Sequence, residues 1–283
     1  MDIQRIEEMP HIERDGGSMP CLGLGTFQNS GEECRRSVAT ALDVGYRHVD
    51  TARMYENEQS VGAGIKDSSV SREDIFLTSK LAMGSLDRKG VHSSCDKSLQ
   101  CLDTAYLDLL LIHWPEEDTP LEETLEAMAD LKSAGKIRHI GVSNFTVSWL
   151  ERLLAVSDES IFCNQIEYHP YLDQSAPIGF CDEHGIAVVA YSPLARGKVM
   201  KDDRLTTIGA KYGKSAVQVA LRWLLGQAGV AAIPKGRSED HIRENIDIFD
   251  FDLNEEDLKE ISALEHDQRL IDPDWTPEWD EPR

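Results

Sequence analysis

Hydrophobic and polar positions follow a regular rhythm along the chain. Short runs rich in Val, Ile and Leu predict strands, and amphipathic windows between them predict helices. The predicted strands are residues 21–25, 48–50, 75–80, 107–113, 139–143, 163–167, 187–191 and 230–234. The predicted helices are residues 32–43, 57–66, 88–102, 121–134, 146–156, 175–184, 202–226 and 239–248, with a further helix near 254–265.

Eight strands that are each followed by a helix are typical of a (β/α)₈ barrel. The alternative is a doubly wound sheet, which calls for a third glycine after its first strand. Gly23 and Gly25 are present, but Gln28 stands where that glycine would be. We therefore expect one α/β domain over residues 1–283, with residues 1–20 as an N-terminal cap. The cap is expected to be a hairpin at the bottom of the barrel, and an irregular tail is expected to follow the C-terminal helix.

Composition limits the classes of function. The chain is 41% hydrophobic and 28% charged, as in globular proteins, and its net charge is −22. Such a charge argues against nucleic-acid and anionic membrane partners. It fits a solubilising acidic surface or an adaptation to high salt, where ions screen self-repulsion. No apolar run is long enough for a membrane helix, and the N-terminus resembles no secretory signal, so we expect a cytoplasmic protein.

No metal site is predicted. The six cysteines are scattered without a CxxC pair, and no histidine lies at a ligand spacing from them. We expect these cysteines to be reduced thiols.

Polar residues end six consecutive predicted strands. In a barrel these positions lie on one rim, where catalytic side chains are found. A single lysine or histidine at such a position is more often structural, but the set is harder to explain by packing. The residues are Asp50, Lys80, His113, Ser143 with Asn144, Gln165 and Tyr191, and Tyr55 lies in the loop after the second strand.

This set suits proton transfer to a carbonyl oxygen. A tyrosine has an ordinary pKa near 10, which the ammonium of a neighbouring Lys80 would lower. The carboxylate of Asp50 would hold that ammonium in place. His113 could orient the carbonyl while Tyr55 donates the proton. The sequence shows no nucleophile paired with a base, so the attacking group must come from outside, and a nicotinamide hydride is the obvious candidate.

Five stretches together carry a family resemblance: residues 45–58, 107–115, 135–145, 164–170 and 233–237. In this order they resemble the aldo-keto reductase superfamily, and most of all its prokaryotic diketogluconate-reductase and aldose-reductase type members. The resemblance covers about residues 20 to 265. It implies a monomeric NADP(H)-dependent oxidoreductase that reduces aldehydes, ketones and sugars, with the catalytic tetrad Asp50, Tyr55, Lys80 and His113.

The resemblance also implies a cofactor site and a substrate site. Cofactor contacts fall on Gly25, Thr26, Asp50, Ser143, Asn144, Gln165, Tyr191, Ser192, Leu194, Gly197, Lys235, Gly236, Arg237, His241, Glu244 and Asn245. Substrate contacts fall on Phe27, Tyr55, His113, Trp114 and Trp275, with Trp279 as an alternative from the tail.

The adenosine end of the cofactor site departs from the family pattern. Gly236 replaces a serine, and His241 replaces the arginine that pairs with the 2′-phosphate. An imidazole can still stack on adenine but carries little charge near neutral pH. We expect NADP(H) to be favoured, with NAD(H) or dual use left open, and Arg237 is a candidate to compensate.

Two other classes of function remain open at this point. The same scaffold can hold cofactor as a non-catalytic partner or regulatory subunit, or serve as a structural protein. The presence of both Tyr55 and Lys80 favours catalysis. A barrel enzyme of another type would need a metal cluster or a carboxylate pair, and the sequence suggests neither.

Overall fold

An antiparallel hairpin precedes the barrel in the computed structural model, which describes residues 9–118 and 121–280. Its strands are β1 (His11–Arg14) and β2 (Gly17–Pro20). Asp15 and Gly16 between them both have positive φ, as a type I′ hairpin turn requires. Asp15 Oδ2 lies 3.6 Å from Nδ1 of His139, near the amino end of a barrel strand. The predicted hairpin therefore lies at the barrel bottom, and residues 1–8 of the predicted cap lie outside the described residues.

Eight parallel strands form the barrel, each hydrogen-bonded to the next in chain order. The two ends of this sheet also meet, because the Gly23 amide donates to Ala232 O (2.9 Å) and the Gly25 amide to Pro234 O (3.0 Å). A Cβ at Gly25 would lie 2.5 Å from Ile233 O, so this approach requires glycine. The strands are β3 (Leu24–Gly25), β4 (His48–Asp50), β5 (Phe76–Lys80), β6 (Leu107–Ile112), β7 (Ile137–Ser143), β8 (Ile161–Glu167), β9 (Ala187–Tyr191) and β10 (Val230–Ala232).

Helices connect the strands and cover the barrel. They are α1 (Gly31–Asp43), α2 (Glu58–Asp67), α3 (Arg88–Leu102), α4 (Leu121–Ser133), α5 (Val147–Val156), α6 (Ser175–Glu183), α7 (Asp203–Tyr212), α8 (Ala216–Leu225), α9 (Glu239–Ile246) and α10 (Glu255–Ser262). The predicted barrel of strand–helix units is confirmed. Among the described residues, no helix is long and apolar enough to cross a membrane.

The prediction of one helix over 202–226 is wrong. Gly213 takes a left-handed conformation that ends α7. Ser215 then begins α8, where its side chain accepts from the Gln218 amide while the Gln218 side chain accepts from the Ser215 amide. This capping box satisfies amides that would otherwise be orphaned at the new helix start, so two shorter helices replace one.

The core lies both inside the barrel and between the barrel and its helices. All six residues of β6 are buried, as expected for a parallel strand that is covered on both faces. The helices turn apolar faces to the barrel; in α8, for example, Val217, Leu221 and Leu224 are buried. Polar side chains at the carboxyl ends of the strands are therefore held on a rigid frame.

Candidate active site

Lys80 is at the centre of a polar cluster where the strands end. Its ammonium donates to Asp50 Oδ1 (2.5 Å), to the backbone oxygen of Thr51 (2.9 Å) and to the Tyr55 hydroxyl oxygen (3.4 Å). A protonated lysine has three N–H donors, and each has an acceptor here. The Tyr55 oxygen thus accepts from Lys80, and its own proton remains available to a group in the cavity.

The loop that carries Tyr55 is tightly held. Residues Arg53–Tyr55 form a short 3-10 turn, and Asn57 follows it. The Asn57 amide donates to the backbone oxygens of Thr26 and Asn29, both at 2.8 Å, and its oxygen accepts from Thr51. Asn57 is buried, so these bonds fix the loop against the end of β3.

The pKa values of the cluster follow from burial and charge. Burial raises the pKa of Tyr55, and Asp50 adds to this rise, whereas Lys80 lowers it through its charge and hydrogen bond. The net shift is upward, contrary to the expectation of a lowered value, because loss of water around the phenolate outweighs the ammonium. Burial lowers the pKa of Lys80, but Asp50 and Tyr55 more than offset it and the net shift is also upward.

His113 is a neutral hydrogen-bonding group. Burial, with the Lys80 charge, lowers the pKa of its imidazole to about 3. Nδ1 is buried without a partner among the described residues. An unpaired buried N–H is costlier than an unpaired lone pair, so we assign the ring proton to Nε2. The ring meets that of Tyr55 edge-on, with centroids 5.8 Å apart, and the two side chains converge on one spot.

Amide side chains form a shelf beside this cluster. Gln165 donates to Asp50 Oδ2 (2.7 Å), and no donor among the described residues reaches its Oε1. Asn144 donates to the His113 backbone oxygen and accepts from the Tyr191 hydroxyl (2.7 Å). Ser143 accepts from Asn144 and donates to the backbone oxygen of Gln165. The Ser143, Asn144 and Gln165 side chains and the Tyr191 ring therefore lie together on one wall of the site.

A cavity of about 600 Å³ opens over the cluster. The predicted site residues on its wall are Gly25, Thr26, Phe27, Asp50, Tyr55, His113, Trp114, Ser143, Asn144, Gln165, Tyr191, Ser192, Leu194, Gly197, Lys235, His241, Glu244, Asn245 and Trp275. Wall residues that sequence reasoning missed are Gln28, Met54, Pro193, Arg196, Met200, Val217, Ile233, Pro234, Ile271 and Pro273. Five of these ten, namely Gln28, Met54, Pro193, Arg196 and Pro234, are next in the chain to a predicted residue, and that position was the signal that could have found them.

Gly236 and Arg237 are not on the described wall of the cavity. Arg237 donates to the backbone oxygen of Gln28 (3.0 Å) and lies 3.5 Å from a Glu33 oxygen. Its guanidinium is thus partnered by the Gln28 backbone and by Glu33. A Cβ on Gly236 would lie 2.5 Å from Ile242 Cγ1, which explains why serine does not fit at this position without movement of Ile242.

The cavity suits a long, anionic dinucleotide. At one end the Asn144 and Gln165 amides can pair with a carboxamide, and the Tyr191 ring is available for stacking on a flat heterocycle. Further along, Arg196 and Lys235 supply positive charge, and at the other end lie His241 and Glu244. Burial and the charge of Arg237 lower the pKa of Lys235, and the charge of Glu33 offsets this only in part. The donor set therefore fits a nicotinamide dinucleotide.

The C-terminal tail forms the opposite wall. Trp275 meets Trp114 edge-on at 4.8 Å between ring centroids, and Trp279 lies 6.2 Å from the same ring. Trp279 itself is not on the described wall. The tail is fastened by Glu167, whose two oxygens accept from the backbone amides of Leu270 (2.8 Å) and Ile271 (2.9 Å).

Glu167 and Asn57 are positioning residues that sequence reasoning did not assign. Glu167 is fully buried at the end of β8, and its Oε1 also pairs with Nε2 of His169 (3.0 Å). The signal for Glu167 was a carboxylate in an otherwise buried strand, which requires partners. Among residues 9–118 and 121–280, no group of three or more His, Cys, Asp or Glu side chains is placed to hold a metal ion.

Comparison with known proteins gives extensive matches. The family model described as the aldo/keto reductase family matches residues 21–266. Glyoxal reductase of Bacillus subtilis (strain 168) is 45% identical over 257 residues, which cover 90% of this chain and 92% of that protein. A solved structure provisionally named 2,5-diketo-D-gluconic acid reductase B has a TM-score of 0.95 at 41% identity, covering 99% of this chain and 100% of that one. A Bombyx mori aldo-keto reductase solved in complex with NADP has a TM-score of 0.85 at 36% identity, covering 93% and 95%.

Proposed function

The chain belongs to the aldo/keto reductase family and is an oxidoreductase that reduces carbonyl groups; on this premise we propose that Tyr55 donates the proton in that reaction. The observation that carries the proposal is the use of all three Lys80 donors on Asp50, Thr51 and Tyr55. With its oxygen accepting from the ammonium, the Tyr55 hydroxyl keeps its own proton to donate to a group in the cavity.

The residues divide the work of the reaction. When bound, a reduced nicotinamide supplies the hydride to the carbonyl carbon. His113, a neutral imidazole, donates a hydrogen bond that orients the carbonyl oxygen towards Tyr55. Tyr55 transfers its proton to that oxygen as the alcohol forms, and the ammonium of Lys80 stabilises the phenolate left behind. Asp50 keeps the ammonium charged in a buried setting.

We propose NADP(H) as the preferred cofactor, with NAD(H) also accepted. Gln165 Oε1 and Asn144 would hold the carboxamide, and Tyr191 would stack on the nicotinamide ring. Lys235 is a cation of the described cavity wall in the same segment as His241, where the 2′-phosphate would lie. Since Arg237 is engaged by Gln28 and Glu33, it adds little to the discrimination between the two cofactors.

We propose small aldehydes, dicarbonyls and keto sugars as substrates. Two of the similar proteins are named for the reduction of glyoxal and of a diketo sugar acid. The aromatic wall of Phe27, Trp114 and Trp275 would take the carbon skeleton beside the reacting carbonyl.

The test is oxidation of NADPH and of NADH by the purified protein with a panel of such carbonyl compounds, in dilute buffer and in concentrated KCl. We expect turnover with both cofactors and higher kcat/KM with NADPH. Tight cofactor binding without turnover of any compound would support the alternative of a non-catalytic partner subunit.

A further inference from the structure

The substrate half of the cavity is apolar. We use this term for Phe27, Met54, Trp114, Ile271, Pro273 and Trp275, which surround Tyr55 and His113. Phe27, Met54 and Trp275 are 46%, 45% and 51% exposed, so large apolar side chains stand at the mouth. The Phe27 ring lies 5.0 Å from that of Tyr55, which brings this apolar surface up to the proton donor.

The described wall carries only two permanent cations. Among the described wall residues the permanent cations are Arg196, in the loop after β9, and Lys235, after β10. Lys80 is near the substrate half, but its three donors are already taken by Asp50, Thr51 and Tyr55. A carboxylate placed against the substrate half would therefore have no cationic partner there.

Arg269 does not change this picture. It is the cation of the tail, and its guanidinium stacks on the Trp279 ring at 3.8 Å. It is not among the described residues that line the cavity. Its charged neighbours include Glu167, Asp272 and Asp280, but burial outweighs them and lowers its pKa, and its Nη1 is buried without a hydrogen-bond partner among the described residues.

Exposed acids flank the wall residues of the substrate half in the chain. Asp272 and Asp274 alternate with the wall residues Ile271, Pro273 and Trp275 along the tail, and both acids are exposed. Hydrogen bonds from Trp279 and Thr276 lower the pKa of Asp272, so its charge persists below the usual range. Glu56, also exposed, follows Tyr55 on the facing loop. These charges add to the net charge of −22 over the whole chain.

From these observations we propose that the site selects uncharged carbonyl compounds and discriminates against those that carry a carboxylate. The inference rests on the proposed function. An unpaired carboxylate loses water against the apolar wall without gaining an ion pair, and it meets repulsion from the exposed acids. An uncharged compound of the same shape gains the apolar contact and has neither cost.

The test compares 4-formylphenoxyacetate with 4-formylphenoxyacetamide. Both have the same aldehyde, and the O–CH₂ group insulates that aldehyde from the change of charge, so their intrinsic reactivities are similar. Under saturating NADPH we expect kcat/KM for the amide to exceed that for the carboxylate by at least about tenfold, mainly through KM.

A charge inserted at the mouth should weaken the discrimination. Met54→Arg places a cation on the apolar wall, and Met54→Gln is the matched uncharged control. The readout is the ratio of kcat/KM for the two compounds within each variant, so a general loss of activity cancels. We expect the amide-to-carboxylate ratio to fall several-fold in Met54→Arg and to stay near the wild-type value in Met54→Gln.

The outcomes separate the two proposals. Rapid reduction of both compounds with equal kcat/KM would overturn the charge selection and leave the proposed function intact. An equal change of the ratio in both Met54 variants would also overturn it, because size rather than charge would then be responsible. Failure to reduce either compound or any member of the carbonyl panel, with NADPH bound, would overturn the proposed function and the selection together.

Discussion

Gln165 and Asp50, 115 residues apart in the chain, are joined by a hydrogen bond of 2.7 Å from the Gln165 amide to Asp50 Oδ2. The other oxygen of Asp50 takes the Lys80 ammonium. The Asp50 carboxylate is therefore hydrogen-bonded by Gln165 of β8 and by Lys80 of β5. A residue expected only to hold cofactor thus also orients the acid that supports Lys80.

Tyr55→Phe is expected to lower kcat about 10³-fold, because it removes the proton donor and little else. The Phe ring keeps the packing against Phe27, so the fold and the cofactor cavity should persist. Binding of NADPH, followed by quenching of tryptophan fluorescence, should change less than twofold. Tyr106→Phe, which alters a tyrosine outside the described cavity wall, serves as the control. Substantial carbonyl reduction by Tyr55→Phe would reject the assigned donor.

Asp50→Asn is expected to lower the pH at which activity is lost on the alkaline side. Burial lowers the pKa of Lys80, and the Asp50 carboxylate is what offsets it. Without that charge Lys80 loses its proton at lower pH, and the phenolate of Tyr55 loses its stabilising ammonium. We expect the alkaline limb of kcat/KM to move down by about one pH unit or more. Asp67→Asn, an exposed acid paired with Arg35, should leave the limb in place.

Protonation of His113 should not affect the acid limb of the dependence of kcat/KM on pH. The pKa of its imidazole is about 3, so it remains neutral throughout the ordinary pH range. An acid limb near the usual histidine pKa of about 6.5 that disappears in His113→Gln would contradict this assignment.

His241→Arg is expected to shift binding towards NADPH. A guanidinium at this position can pair with a 2′-phosphate in two parallel hydrogen bonds, which the imidazole cannot do. We expect the ratio of the Kd for NADH to the Kd for NADPH to rise about tenfold, measured by fluorescence titration. His241→Gln, which adds no charge, is the control. An unchanged ratio would mean that Lys235 already provides the discrimination.

Glu167→Gln should loosen the tail. A carboxamide offers one acceptor where the carboxylate offers two, so one of the amides of Leu270 and Ile271 loses its partner, at a cost of about 1–3 kcal/mol. We expect a several-fold rise in KM for aromatic aldehydes, with kcat less affected, and faster proteolysis within the tail. Leu270→Pro removes one donor from the other side of the same contact and should behave alike.

Glu183→Gln, at an exposed acid of α6, is the control for that experiment. The anchoring role of Glu167 would be excluded by wild-type KM values and proteolysis rates in both anchor variants.

The protein should lose stability in acid partly through His48. Burial lowers the pKa of this imidazole to about 4 in the folded state, whereas the unfolded value is about 6.5. Between these values the unfolded chain binds more protons, so the free energy of unfolding falls as pH falls, by about 1.4 kcal/mol per pH unit for this group. Urea unfolding across that window should show a shallower pH slope in His48→Asn. Equal slopes would contradict the assigned shift.

The sequence predicted the strands that carry the site more accurately than the pKa shifts within it. The predicted strands 48–50 and 187–191 match β4 and β9, and in β9 the four buried residues Ala187–Ala190 form an apolar run. The direction of the Tyr55 pKa was not predictable, since it depends on how much water the fold removes. The contact of Glu167 with Leu270 and Ile271 joins segments about 100 residues apart, and no local pattern encodes it.

The meeting of β3 with the segment after β10 has a consequence for biosynthesis. Asp50, Tyr55, Lys80 and His113 all emerge in the first half of translation, but the sheet closes only when Gly23 and Gly25 reach Ala232 and Pro234. Until then the nascent chain carries Lys80 and Asp50, which are buried only in the finished barrel. The open sheet also has an unpaired strand at each edge. We therefore expect a ribosome-bound chain truncated before residue 230 to be a client of chaperones, and catalytic competence to arise only on completion of the last strand.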